Sequence, residues 1–83
     1  MNDTEKKIRE LIFENIEITV PVEQISSQDD LFQFGMDSIS SIKLIVAIES
    51  VFDFEFSDED LNMDNIKTID SIAEYLHKNI YHG

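Results

Sequence analysis

Ser38 is the candidate reactive residue of this sequence, since it lies between a glycine-containing turn and an apolar run of helical spacing. The residues around it, GMDSIS at 35–40, do not form the G-x-S-x-G turn of a serine hydrolase. The only histidines, His77 and His82, lie near the end of the chain, where nothing positions either as a base. The absence of cysteine excludes a thiol nucleophile and a thiolate metal site. We therefore predict that the protein is not an autonomous hydrolase.

A second chemical candidate is the acidic segment in which Asp58, Asp60, Asn62 and Asp64 alternate. An EF-hand calcium loop needs Gly at its sixth position and Glu at its twelfth. Counted from Asp58, those positions hold Met63 and Ile69. The segment is therefore interpreted as a solvated acidic face with weak affinity for divalent ions, and no specific metal site is predicted.

Length and charge limit the possible partners. The chain has 83 residues, with 6 Lys and Arg against 18 Asp and Glu, for a formal charge of −12. This length predicts a single domain, residues 1–83. Nucleic acids and anionic membranes need cationic residues that are scarce here. No stretch approaches the roughly 20 apolar residues of a membrane span. We expect a cytoplasmic protein with basic protein partners and no nucleic-acid or membrane binding.

The first and last helices are predicted from apolar periodicity and capping residues. One amphipathic helix spans about residues 3–16, with Asn2 and Glu5 as a capping pair. Another spans about 68–80 and begins at the cap residue Thr68. The predicted apolar faces contain Ile8, Leu11, Ile12 and Ile16 in the first helix and Ile69, Ile72, Ala73, Leu76 and Ile80 in the last.

The middle of the chain supplies the helix that begins at the candidate serine. Residues 38–52 are apolar nearly all round, which indicates a central helix with a second face for a partner. Ser57 predicts a short helix at about 58–62. The long connection over 17–37 is expected to carry function and to be held to the core by Ile25, Leu31, Phe32 and Phe34. The predicted fold is all-α, a small four-helix bundle with a long loop between helices one and two.

The segment DLFQFGMDSI at 30–39 closely resembles the attachment motif of acyl and peptidyl carrier proteins. The likeness extends over most of the chain, because the order of helices, the long loop and the acidic charge also match that family. The resemblance implies a separate phosphopantetheinyl transferase that moves 4′-phosphopantetheine from coenzyme A onto Ser38. The thiol of this arm would hold an acyl or aminoacyl group, a role that suits a chain without cysteine.

The resemblance also assigns roles around the serine. Asp37 would cap the helix and present Ser38 to the transferase. The resemblance implies a non-catalytic, monomeric carrier, whose other partners would be acyl- or aminoacyl-loading and condensing enzymes with basic docking surfaces. The positions assigned to partner contact are Met36, Ile39, Ile42, Lys43, Val46 and Glu49.

Two alternatives remain open at this point. Fatty-acid carriers usually have acidic residues just after the serine, whereas this chain has Ser40, Ser41 and Lys43. We therefore favour a free-standing carrier of a polyketide, nonribosomal peptide or related specialised pathway over a fatty-acid carrier. The second alternative is an unmodified acidic helical module for protein–protein interaction, in which Ser38 has no chemical role.

Overall fold

The computed structural model describes residues 3–57 and 62–81. Within these ranges the regular elements are all helical, and there is no strand. Helix α1 spans Asp3–Asn15, α2 spans Ser38–Phe52, α3 spans Met63–Ile66 and α4 spans Ile69–Leu76. Helix α4 continues into a π-helical segment, His77–Tyr81, and two 3₁₀ turns, Val22–Gln24 and Leu31–Phe34, interrupt the long loop. The predicted all-α fold with four helices is confirmed.

Most of the short helix predicted at about 58–62 lies outside the described residues, as do Asn2 of the predicted cap and the side chain of Ile80. The short helix that the structure does describe begins later, at Met63. Its N-cap is Asn62, whose side chain accepts a hydrogen bond from the Asn65 backbone N–H. An asparagine in this role satisfies a backbone donor at the helix start.

The core forms where the apolar faces of α1, α2 and α4 meet. Helix α1 packs against both α2 and α4, and α3 packs against α4. In α1 the buried stripe follows the predicted helical spacing, and α4 buries one face in the same way. Leu44 and Ile48 of α2 are fully buried in the same core. Among the described residues, no helix is long and apolar enough to cross a bilayer.

The long loop is held in place by backbone hydrogen bonds as well as by apolar anchors. Leu31 N–H donates to the Lys67 carbonyl at 2.8 Å, and Asp70 N–H donates to the Ser27 carbonyl at 2.9 Å. From α1, the Arg9 guanidinium donates to two loop carbonyls at 2.8 Å each. The four predicted anchors of the loop all lie in or against the core. The loop is therefore a fixed part of the fold, which lets it position the start of α2.

Residues 52–56 alternate with period two, which by itself would suggest a strand. Because a lone strand has no partner for its backbone hydrogen bonds, the sequence predicts an extended connector with inward phenylalanines, and the structure contains one after α2. Phe54 and Phe56 turn inward and contact Tyr75 of α4, and the Phe56 and Tyr75 rings stack with centroids 4.7 Å apart. This aromatic cluster packs the connector, which follows the C-terminal end of α2, against α4.

Replacing Thr68 tests how much local capping stabilises the bundle. The Thr68 hydroxyl accepts from Ser71 N–H at 2.9 Å, and the Ser71 hydroxyl accepts from Thr68 N–H at 3.1 Å. Because Thr68→Ala leaves the Ser71 N–H at the start of α4 without its acceptor, we expect it to lower the free energy of unfolding by about 1 kcal/mol. Urea denaturation measures the change, and Thr68→Ser, which keeps the hydroxyl, is the control. An unchanged midpoint for Thr68→Ala would contradict the assignment.

Candidate functional site at the start of helix two

A reciprocal cap determines where α2 begins. Asp37 has an extended backbone, and its Oδ1 accepts from Ser40 N–H at 2.8 Å. In return, the Ser40 hydroxyl accepts from Asp37 N–H at 2.9 Å. This capping box satisfies donors that every helix leaves unpaired in its first turn. Asp37 is the N-cap of α2, which starts at Ser38.

Ser38 is therefore the first helical residue, and it is exposed. A side chain at this position points back beyond the helix end, away from the core. The Ser38 hydroxyl forms no hydrogen bond with the described residues. It is thus accessible to another molecule, as the attachment of a group through this oxygen requires.

The turn before the cap depends on Gly35. Its φ of 121° lies in the region that side chains disfavour. A Cβ at this position would lie 2.5 Å from the Glu17 carbonyl oxygen. The neighbouring Thr19 N–H donates to the Phe34 carbonyl at 2.8 Å. The glycine therefore lets the segment after α1 pass directly against the turn that leads to Ser38.

The electrostatics of the cap favour an ionised aspartate. The pKa of Asp37 lies below its ordinary value of 3.8, chiefly because the Ser40 backbone N–H donates to the carboxylate. The Ser40 hydroxyl lowers the pKa further, with smaller contributions from the Ile39 N–H and the positive charge of Lys43. The ionised carboxylate is also the form that the positive end of the helix dipole stabilises.

Three of the predicted partner-contact residues form one exposed apolar stripe on α2. Ile39 is 70% exposed, Ile42 60% and Val46 57%. Lys43 is exposed beside them. Glu49 is half-buried, and its Oε2 accepts from Phe56 N–H at 3.0 Å, so it also ties the connector to α2.

Met36 requires a correction. The sequence predicts it among the partner-contact residues, but its side chain is only 3% exposed and belongs to the core. The turn at Gly35 directs it inward, where it anchors the residues just before the cap. A buried side chain is not available to a docking partner, so Met36 is not part of the exposed stripe.

The sequence analysis did not predict two features of the site, the burial of Ser41 and the exposure of Phe13. Ser41 is fully buried, and its hydroxyl donates to the Ser38 carbonyl at 2.8 Å. Phe13 of α1 is 70% exposed. A signal for Phe13 does exist, since it lies off the predicted apolar stripe of its helix.

Comparisons with known proteins show the family to which this chain belongs. Residues 6–76 match the family model described as "Phosphopantetheine attachment site". The chain belongs to this family of carrier proteins. Its members are non-catalytic carriers with a covalent phosphopantetheine prosthetic group, and the exposed serine without a thiol-bearing residue nearby fits that group.

Similar proteins include both acyl and aminoacyl carriers. An acyl carrier protein of Coprothermobacter proteolyticus is 35% identical over 80 residues, which cover 88% of this chain and 95% of the relative. An aminoacyl carrier protein of Agrobacterium fabrum is 34% identical over 67 residues, or 81% of each chain.

The fold comparison agrees. A chain of the crystal structure of engineered Bradyrhizobium japonicum glycine:[carrier protein] ligase complexed with carrier protein from Agrobacterium tumefaciens and ATP superposes with a TM-score of 0.87. That chain is 30% identical, and the match covers 92% of this chain and 99% of the other. The chain therefore has the fold of a carrier protein and is similar to both acyl and aminoacyl carriers.

The pKa of Asp37 provides a test of the cap. Because the folded-state pKa lies below the unfolded one, the ionised cap stabilises the fold above the unfolded pKa. That contribution is lost as pH falls through the folded pKa. The difference in stability between the wild type and Asp37→Ala should thus be largest above about pH 5 and shrink below it.

Carboxyl NMR titration measures the pKa directly. In Ser40→Ala we expect it to move back towards the ordinary value, because one of the two main donors is removed. An Asp37 that titrates at the same pH in the wild type and in Ser40→Ala would show that the hydroxyl does not stabilise the carboxylate.

Proposed function

We propose that this carrier holds acyl or aminoacyl intermediates as thioesters on a 4′-phosphopantetheine arm attached to Ser38. The exposure of Ser38 at the capped start of α2 carries this proposal. The family match supports the presence of the arm, and the chain has no cysteine of its own to form a thioester. When bound, the arm supplies the thiol.

The attachment needs only a nucleophilic oxygen from this chain. The Ser38 Oγ forms a bond to the phosphorus of the phosphopantetheine part of coenzyme A, and the pyrophosphate bond to that phosphorus breaks. The products are the phosphodiester and 3′,5′-ADP, and the hydroxyl proton goes to a base of the transferase. Asp37 and Ser40 hold the helix start still, so that the oxygen is presented outside the bundle.

The apolar stripe of Ile39, Ile42 and Val46 is the proposed surface for partner enzymes. These are the transferase, a loading enzyme and condensing enzymes, each of which must approach Ser38. The similar solved complex contains a glycine:[carrier protein] ligase bound to a carrier, which supports a loading enzyme as one partner. We propose that the chain acts as one domain, as a monomer in the cytoplasm.

Charge on α2 favours a specialised pathway over fatty-acid synthesis. Lys43 and Glu49 are the only charged residues of α2, so this helix is neutral in a chain of charge −12. A basic docking site is attracted by acidic residues beside the serine, and Lys43 opposes that attraction. We therefore propose that this carrier serves enzymes whose docking sites depend mainly on apolar contact.

Intact mass spectrometry tests the attachment. After incubation with coenzyme A and a broad-specificity phosphopantetheinyl transferase, we expect the wild type to gain one phosphopantetheine. Ser38→Ala should gain none, because it lacks the accepting oxygen. The matched control is Ser50→Ala, which removes another exposed serine of α2 and should still be modified. An unmodified wild type would instead support the interaction module, whose docking face would be the same apolar stripe.

Loading assays test the pathway. With the phosphopantetheinylated protein as substrate, we expect an amino-acid adenylating enzyme to load it faster than a malonyl-transferase of fatty-acid synthesis. Lys43→Glu should raise the rate of loading by the malonyl-transferase, because it places a negative charge near the serine. Lys67→Glu, an equal charge change at an exposed site before α4, is the control. Efficient loading by the fatty-acid enzyme alone would overturn the specialised role.

A further inference from the structure

Among the residues that the structure describes, Ser41 is the one polar residue whose side chain is fully buried. It lies on the core face of α2, in line with Leu44 and Ile48, where the helical spacing favours an apolar residue. Burying a hydroxyl costs free energy that an apolar side chain of similar size would not cost. Core packing by itself therefore does not explain a serine at this position.

The buried hydroxyl of Ser41 connects the core to the backbone of Ser38. It donates to the Ser38 carbonyl oxygen at 2.8 Å. A serine within a helix often bonds in this way to a carbonyl of the preceding turn. Here the donor is removed from solvent, so water does not compete for it and the bond is strengthened by its apolar surroundings.

The three serines at the start of α2 have different hydrogen bonds. The Ser40 hydroxyl belongs to the reciprocal cap with Asp37, on the N-terminal side of Ser38. The Ser41 hydroxyl holds the peptide group on the C-terminal side of Ser38. The backbone of Ser38 is therefore restrained on both sides, while its own side chain is exposed.

Such restraint matters at the first residue of a helix. The N–H groups of the first turn have no partner within the helix, and helix ends fray. Phosphoryl transfer depends on holding the attacking oxygen in line with the phosphorus atom and the leaving group. Fixing the peptide group that follows Ser38 limits the movement of its Cα–Cβ bond and therefore of its Oγ.

We propose that Ser41 is a positioning residue for the transfer of phosphopantetheine to Ser38. Its hydroxyl keeps the first turn of α2 closed, so that the Ser38 Oγ is held in place when the transferase binds. Because Ser41 is buried, it acts only through the Ser38 backbone, and it neither gains nor loses a proton in the transfer. This inference rests on the proposed attachment at Ser38.

Single-turnover kinetics with coenzyme A and a broad-specificity phosphopantetheinyl transferase in excess test this role. In Ser41→Ala we expect the maximal rate to fall about fivefold, the effect of losing one hydrogen bond. The transferase concentration that gives half the maximal rate should not change, because the docking surface is intact. Ser41→Thr keeps the hydroxyl and should restore the maximal rate.

A matched control separates positioning from stability. Ile48→Val shortens another fully buried side chain of α2, about 15 Å from Ser38 along the helix axis. It should lower the urea midpoint and leave the maximal rate of transfer unchanged. Ser41→Ala should lower the rate although it is folded in the assay. Its Ile42 amide should also exchange with solvent faster than in the wild type, because the first turn opens more often.

Several outcomes would overturn the positioning role and leave the attachment intact. These are a wild-type maximal rate in Ser41→Ala, a loss of rate that comes only from weaker transferase binding, and a folded Ser41→Thr that is as slow as Ser41→Ala. If Ser41→Thr does not fold, unchanged exchange of the Ile42 amide in Ser41→Ala overturns the role. A wild type that gains no phosphopantetheine would instead remove the attachment at Ser38 itself.

Discussion

The site depends on the pair of hydrogen bonds exchanged by Asp37 and Ser40. A helix begins where its first unpaired N–H groups find acceptors, and here both groups of the cap lie within four residues of sequence. If α2 began one turn later, Ser38 would belong to the loop. If it began earlier, the serine would be surrounded by helix. The cap therefore makes Ser38 the first helical residue, with an exposed hydroxyl at the positive end of the helix dipole.

Helix α2 divides its surface between the core and solvent. Ser41, Leu44 and Ile48 are buried, whereas the stripe that contains Ile42 is exposed. The strong acidity of the protein and the apolar, neutral stripe have two different physical effects. The like charge of two copies of the carrier opposes their association, while docking to another protein can be driven by apolar burial.

Much of this arrangement follows from local sequence. The periods of α1 and α4, the caps at Asp37 and Thr68 and the inward phenylalanines of the connector are all predictable from the residue pattern, and the structure contains each of them. Each depends on residues a few positions apart, whose interaction is nearly independent of the rest of the chain. The short helix could not be placed in the same way. Several acidic and amide residues in that segment can serve as caps, and in the described part Asn62 is the one that does.

The sequence by itself determined α1, α4 and the start of α2, because helical periodicity and caps are short-range. Only the tertiary structure decided that Met36 is buried and that Ser41 lies beneath Ser38. These outcomes depend on how α1, the long loop and α2 approach one another. The approach is fixed by distant contacts such as those of Gly35 with Glu17 and of Leu31 with Lys67, and no local pattern encodes them.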